Sequence, residues 1–149
     1  MTSQVSQPTQ RAEKLTFPVP IRWSDQDANG HVNNARILTL VEEGRIQAGY
    51  HWWGANPDES SPRVVRAMSV DYRNAVHYGP ETTIDVWISR IGTTSYTVSQ
   101  ELFQQGRSCV SAEVVIVILD RDTRQPMTLP ESVRETLHAN LFSDQTPQN

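Results

Sequence analysis

The feature that most constrains the fold of this chain is one stretch of helical periodicity followed by four strand-like segments with no helix between them. The helical period runs over residues 34–50, where apolar side chains recur every three or four positions. The strand-like segments cover residues 64–72, 82–91, 95–103 and 107–120, with apolar residues at alternate positions. Gly92 and Gly106 lie in two short connections, which predicts antiparallel hairpins.

A fifth strand is predicted before the helix, over residues 15–23. The apolar side chains of one face alternate along it: Phe17, Val19, Ile21 and Trp23. Pro18 and Pro20 fall on the other face and cannot donate ladder hydrogen bonds, so this is expected to be an edge strand. Because an antiparallel sheet must cover its apolar face, the order predicts an α+β domain. In it a curved, mainly antiparallel five-stranded sheet wraps around one long central helix.

The two ends of the chain are polar, and its 149 residues fit one domain of ordinary size. Residues 1–13 and 143–149 are predicted to be flexible, disordered tails. Residues 14–142 are then a single domain, with a short terminal helix expected over residues 130–141. The first residues lack the apolar middle of a signal peptide, and no apolar run is long enough to span a membrane. A cytoplasmic location is therefore expected.

Composition argues against several classes of function. The formal net charge is −4, Lys14 is the only lysine, and the arginines are scattered, so no nucleic-acid partner is expected. Cys109 is the only cysteine, which rules out an intrachain disulfide and predicts a small buried residue. Cysteine and histidine do not cluster at ligand spacing, so no metal site is expected.

Residues 22–34, RWSDQDANGHVNN, join the edge strand to the helix and carry the candidate chemistry. Asp25 and Asp27 precede a helix start, where unpaired amides and the positive end of the helix dipole lie. Hydrolysis of an acyl thioester needs a carboxylate that attacks the carbonyl or deprotonates a water. It also needs an amide that stabilises the developing oxyanion. A loop carboxylate beside a helix start supplies both parts, and this chemistry requires no metal.

This stretch resembles the 4-hydroxybenzoyl-CoA thioesterase branch of the hotdog superfamily, whose members carry a pattern like RWGDxDxxGHVNN. Here Ser24 replaces the usual glycine, and the later segments VEEGR (41–45) and SRIGTTSYTVSQEL (from residue 89) also resemble that family. The resemblance covers roughly residues 17–120. It departs from the family at Gly79-Pro80-Glu81, where Gly-Asp is common.

The resemblance implies a hotdog fold and hydrolysis of an acyl-CoA, or of an acyl carrier protein thioester. Asp27 is then the nucleophile or general base, the backbone amide of Asn34 polarises the thioester carbonyl, and His31 orients the water or the carboxylate. The residues expected to line the substrate are Gly30, Val32 and Asn33. No cofactor is implied, because coenzyme A is part of the substrate. A homodimer or homotetramer is implied, with part of residues 64–69 of a neighbouring subunit completing the site.

Simpler roles stay open for each of these residues. Asp27 also fits a role in stabilising the turn, and Asp25 is expected to bond loop amides. Asn33 or Asn34 is expected to cap the helix. Glu43 is the reserve candidate for the base, although a solvated helix face is its simpler role.

Residues outside this stretch carry weaker signals. Trp52 and Trp53 are expected in a loop after the helix, as packing residues or, less simply, as a lid over an acyl pocket. Three arginines suit the phosphates of coenzyme A without a firm assignment: Arg90, Arg107 and Arg121.

Two other functions compete with hydrolysis. An enoyl-CoA hydratase of the same superfamily resembles Asp-x-Asn-Pro-x-His, but after Asp27 and Asn29 this chain lacks the proline and has His31 one position early. A non-catalytic acyl-CoA-binding module is the other alternative, and it leaves Asp27 unexplained.

Overall fold

The computed structural model describes residues 12–54 and 62–142, and its elements follow the predicted order. The strands are β1 (Leu15–Pro18), β2 (Arg63–Tyr72), β3 (Thr82–Ile91), β4 (Ser95–Gln104) and β5 (Arg107–Ile118). The helices are α1 (Asn34–Trp53) and α2 (Glu131–Ala139), and a 3₁₀ turn spans Trp23–Asp25. The predicted disordered tails lie almost wholly outside the described residues, so their disorder stays a prediction.

The five strands form one antiparallel sheet in the order β1-β3-β4-β5-β2. Strands β1 and β2 are therefore the two edges, and the long central strands β3, β4 and β5 are hydrogen-bonded on both sides. The predicted α+β class, with five antiparallel strands and one long helix, is confirmed. The prediction that Cys109 is buried is also confirmed, since it is 2% exposed in β5.

Helix α1 packs against β3 and β4 through one apolar side. Its buried residues fall at helical spacing: Ile37, Leu40, Val41, Gly44, Arg45 and Ala48. Each buried aliphatic side chain of this kind contributes about 1.5–3 kcal/mol relative to solvent exposure. Burial of this stripe, and not the modest helix propensity of the segment, holds α1 on the sheet.

Two contacts at the middle of α1 fix how the helix sits on the sheet. A methyl group placed at Gly44 would lie 2.6 Å from Cγ2 of Ile84 in β3, so only glycine allows this close approach. The side-chain amide of Gln100 in β4, which is 1% exposed, donates a 2.6 Å hydrogen bond to the carbonyl of Val41. The helix is thereby held both by shape and by a buried polar bond.

We expect Gly44→Ala to destabilise the protein by about 1–3 kcal/mol, because the added methyl group overpacks the contact with Ile84. Gly49→Ala is the matched control, since no atom lies within 4 Å of a methyl group at that helical position. That control should gain up to about 1 kcal/mol from helix propensity. Urea unfolding followed by circular dichroism measures both changes, and equal stability of the two variants would contradict the packing argument.

The helix is longer than the sequence predicts. The predicted end at residue 50 is wrong, because α1 continues to Trp53 and stops at Gly54, whose φ of 80° is in the left-handed region. Trp52 and Trp53 therefore belong to the last helical turn, and their prediction as loop residues is wrong. The ring of Trp53 packs 5.8 Å from that of Tyr96 in β4, a tertiary contact that extends the helix beyond its sequence signal.

The first strand is shorter than predicted. Strand β1 ends at Pro18, and the chain enters the 3₁₀ turn at Trp23. Val19 is buried, but Trp23 is 74% exposed, so the prediction that Trp23 continues the buried face is wrong. The proline-rich segment leaves the ladder because proline has no amide hydrogen to donate.

Strand β2 presents an apolar surface that no described residue covers. The side chains that share the helix-facing side of the sheet with β5 are 46%, 36% and 41% exposed: Val65, Met68 and Tyr72. On α1, Leu38, Ile46 and Tyr50 are 36%, 49% and 55% exposed. An edge strand with an exposed apolar face offers unpaired backbone groups and apolar side chains to which another strand can bind.

Candidate active site

A tight loop precedes α1 and carries the candidate carboxylate. The amide of Asp27 donates to the carbonyl of His31 at 2.9 Å, and the amide of Gly30 donates to the carbonyl of Asp27 at 3.0 Å. Gly30 has a φ of 73°, and a methyl group there would meet no atom within 4 Å. Glycine is therefore needed for the backbone conformation of the turn and not for close packing.

The carboxylate of Asp27 is half-buried, and only one of its oxygens is used by the loop. Oδ1 accepts a 2.9 Å hydrogen bond from the amide of Asn29. Among the described residues no donor contacts Oδ2, and Asp27 forms no ion pair. One oxygen of this side chain therefore stabilises the turn, and the other has no donor among the described residues.

The helix start that follows leaves the amide at its first position open. Oδ1 of Asn33 accepts the amide of Ala35 at 2.9 Å, so Asn33 is the N-cap. No acceptor for the amide of Asn34 is found among the described residues, as expected for the first amide of a helix. The hydroxyl of Tyr72 donates to the carbonyl of Asn34 at 3.3 Å and ties the end of β2 to the helix start.

Asp25 stabilises the loop through buried hydrogen bonds. It is 3% exposed and accepts hydrogen bonds from the amide of Arg22 at 2.8 Å and from its guanidinium at 3.1 Å. Burial alone would raise the pKa of the Asp25 carboxyl, but the bonds from Arg22 outweigh burial and lower this pKa below its usual 3.8. The carbonyl of Asp25 also accepts the amide of Asn33 at 3.0 Å. Asp25 thus bonds a loop amide as predicted.

A second histidine faces the loop from a distant part of the chain. The rings of His31 and His77 lie edge to face with centroids 5.0 Å apart. The amide of Val32 donates to the carbonyl of Val76 at 2.8 Å, and the side chain of Gln104 bonds both backbone groups of His77. Neither His77 nor Tyr72 carries a local motif, so sequence reasoning missed both. Only the path of the chain between β2 and β3 reveals them.

The two remaining candidates are Val32, within the loop, and Glu43, further along α1. Val32 is 3% exposed in the core, so its side chain offers no surface to a substrate. Glu43 is exposed on α1, nine positions and about 13 Å along the helix axis from Asn34. Its neighbour Glu42 forms a 3.8 Å ion pair with Arg45, as the simpler interpretation of that helix face predicts.

The described residues also lack two features that would point to other functions. No group of three or more His, Cys, Asp or Glu residues at metal-binding separation is found in residues 12–54 and 62–142. In that same part of the chain no helix is both long and apolar enough to cross a membrane. The cellular location stays a prediction.

The geometry of loop, helix and sheet agrees with comparisons to known proteins. The family model of the thioesterase-like superfamily matches residues 21–137, and the chain therefore belongs to that superfamily. The predicted hotdog thioesterase family and the predicted enzyme class, a thioesterase, are confirmed.

Individual relatives agree with this assignment over nearly their whole length. A predicted thioesterase from Bacillus stearothermophilus is 30% identical with a TM-score of 0.80, covering 87% of this chain and 98% of that one. A thioesterase from Thermus thermophilus, solved with coenzyme A and zinc, is 30% identical with a TM-score of 0.73, covering 83% and 91%. The acyl-CoA thioesterase YbgC of Haemophilus influenzae is 22% identical, covering 83% of this chain and 94% of that protein.

Proposed function

We propose that this protein hydrolyses an acyl-CoA thioester to the free acid and coenzyme A, with Asp27 as the reacting carboxylate. The observation that carries the proposal is the free Oδ2 of Asp27 on a loop that leads directly into an open helix amide at Asn34. The relatives named for acyl-CoA hydrolysis or solved with coenzyme A support the same substrate class.

The reaction needs one carboxylate, one water and one hydrogen-bond donor. As general base, Asp27 removes a proton from water while the hydroxide oxygen bonds to the thioester carbon. As nucleophile, its oxygen bonds to that carbon, the thiolate leaves, and water then hydrolyses the resulting anhydride. In both routes the amide of Asn34 and the positive end of the α1 dipole stabilise the negative charge on the carbonyl oxygen. The released sulfur takes up a proton.

The neighbouring groups have supporting roles in this scheme. His31, at the edge of His77, orients the attacking water or the carboxylate. Gly30 and Asn33, which are both exposed, line the approach of the thioester. No step needs a cofactor or metal, because coenzyme A arrives as part of the substrate. An acyl carrier protein thioester satisfies the same chemistry.

We further propose that the working unit is a homodimer, or a homotetramer of such dimers, joined through the β2 edges. The exposed apolar side chains of β2 and of the adjacent side of α1 support this pairing, because water contact with such a surface is unfavourable. Antiparallel pairing about a two-fold axis at the middle of β2 brings Arg63 of one copy beside Tyr72 of the other. The candidate site then lies at the subunit boundary, near residues 64–69 of the second copy.

A thiol-release assay across a panel of saturated and 2-enoyl acyl-CoAs tests the reaction. Release of free thiol that depends on enzyme supports hydrolysis. Loss of the enoyl absorbance without thiol release would instead establish a hydratase, and tight acyl-CoA binding without any turnover would establish a binding module. Either of the latter results overturns the proposal.

A further inference from the structure

A cavity of about 460 Å³ lies at the opposite end of α1 from the candidate active site. It is bounded by the second half of α1, by α2 and by the first residues of β2, with β4 and β5 at its base. Its walls are largely aromatic and aliphatic, including Tyr50, Trp52, Val65 and Val133. A small organic group with an apolar body fits such a cavity.

The polar side chains that line the cavity include several cationic or N–H donors. Arg45 is 8% exposed, yet its nearest acidic partner, Glu42, is 3.8 Å away and has a side chain that is 65% exposed. Its hydrogen-bond partner among the described residues is the neutral side chain of Gln100 at 3.5 Å. Burial lowers the pKa of Arg45, but a guanidinium still carries its proton at neutral pH. A buried positive charge with so few polar partners is energetically unfavourable unless an anionic group binds beside it.

Two further donors line the same wall. Nε1 of Trp53 is buried, and none of the described residues accepts a hydrogen bond from it, which is rare for an indole N–H. The guanidinium of Arg63 lies 4.0 Å above the ring of Trp53. Tyr96, which is 2% exposed, also lines the cavity. None of the described residues that line the cavity is aspartate or glutamate.

We propose that this cavity binds a carboxylate carried at the end of an apolar body, with Arg45, Arg63 and the indole N–H of Trp53 as its donors. A carboxylate accepts such bonds strongly, and guanidinium groups match its planar shape. The aromatic and aliphatic walls take the rest of the molecule. The role of the cavity rests on the proposed function: the ligand is the far end of an acyl group that terminates in a second carboxylate.

The proposed dimer gives the acyl group a short route into this cavity. Pairing of the two β2 strands about their middle sets Arg63 of one copy across from Tyr72 of the other, and paired strands lie about 4.8 Å apart. Tyr72 is bonded to Asn34 at the helix start. The cavity of one subunit therefore faces the candidate active site of the other.

Isothermal titration calorimetry with 3-phenylpropionate and its neutral analogue 3-phenylpropionamide tests the binding step. We expect the acid to bind at least roughly tenfold more tightly than the amide, because only the acid pairs with the guanidinium groups. Arg63→Gln should reduce this preference and Arg63→Lys should retain part of it. Trp53→Phe, which keeps the ring but removes the donor, should weaken binding of the acid. Asp27→Asn should leave the preference unchanged.

Equal affinity for the two probes in the natural protein would overturn the proposal. A preference that survives Arg63→Gln, Arg45→Gln and Trp53→Phe would do the same, provided that circular dichroism shows folded variants. Because Asp58 and Glu59 precede Arg63 in the sequence, the double variant D58N/E59Q is titrated in parallel. A tenfold or larger gain in affinity for the acid would indicate that these acids neutralise the guanidinium groups, and it would also overturn the proposal.

Thiol release from suberyl-CoA and octanoyl-CoA, which have equal carbon numbers, tests the role in catalysis. The proposal expects kcat/KM to favour suberyl-CoA by roughly tenfold, with the ratio falling in Arg63→Gln. Binding of the acid probe without this kinetic preference would assign the cavity to a free acid and refute its role for the acyl group. Acid binding with no thiol release from any acyl-CoA would refute the proposed function alone.

Discussion

Asp27→Asn is expected to lower the rate of thioester hydrolysis by about two orders of magnitude or more, whichever of the two routes operates. An amide oxygen neither deprotonates water nor attacks a thioester carbonyl at a useful rate, and loss of one positioned acid or base typically removes this much of the rate. The fold should persist, because Oδ1 of asparagine still accepts the amide of Asn29 and keeps the turn closed. Thiol release under saturating acyl-CoA measures the loss, and calorimetric titration with a non-hydrolysable acyl-CoA analogue measures binding.

Glu43→Gln is the matched control for this prediction. Glu43 is exposed and about 13 Å along α1 from Asn34, so its loss should leave kcat within about twofold of the natural value. Near-normal turnover by the Asp27 variant together with a large loss in the Glu43 variant would transfer the role of base to Glu43. It would leave the loop carboxylate with its turn-stabilising role only.

Met68→Asp is expected to convert the proposed dimer to monomers and to lower thiol release with it. Met68 lies at the middle of β2, where a two-fold axis sets each residue beside its own copy. Two carboxylates would then face each other across the interface, and like charges so placed oppose association by several kcal/mol. Sedimentation velocity at several protein concentrations should give a dissociation constant raised by roughly a hundredfold or more.

A charge-reversal pair separates this effect from misfolding. Met68→Lys should dissociate the dimer in the same way, whereas an equimolar mixture of the Asp and Lys variants should recover it through opposite charges. Thr128→Asp adds the same charge at an exposed position outside the strands and should leave the association unchanged. A natural protein that sediments as a monomer at assay concentration, with full activity, would refute the β2 interface.

Much of the fold was predictable because it rests on local patterns. From the alternation in the strands and the helical stripe of α1, the predicted bounds of β3 equal the observed ones. The predicted bounds of the other long elements differ from the observed ones by a few residues. The errors arose where tertiary contacts or proline override such patterns. Packing of Trp53 on Tyr96 extends α1 past Gly49, and proline without a donor ends β1 before Trp23.

The candidate site likewise contains residues that a local sequence pattern predicts and residues that it does not. Asp27 and Asn34 lie seven positions apart in sequence, so one sequence motif includes both. Tyr72 and His77 reach the same place only through the pairing of β2 with β5 and the path back to β3, which no local pattern records. The donors around the distal cavity come from α1, β2 and β4, so their convergence is likewise a property of topology.

The contact of Gly44 with Ile84 and the bond from Gln100 to Val41 lie ten and seven residues after Asn34, the start of the helix. Together they prevent α1 from rolling about its own axis, and a rigid helix transmits that constraint along its length. The direction in which the Asn34 amide points is therefore decided near the centre of the sheet. Substitutions at this remote contact would turn the amide, and under the proposed mechanism they would change the rate of hydrolysis while every residue of the loop stayed the same.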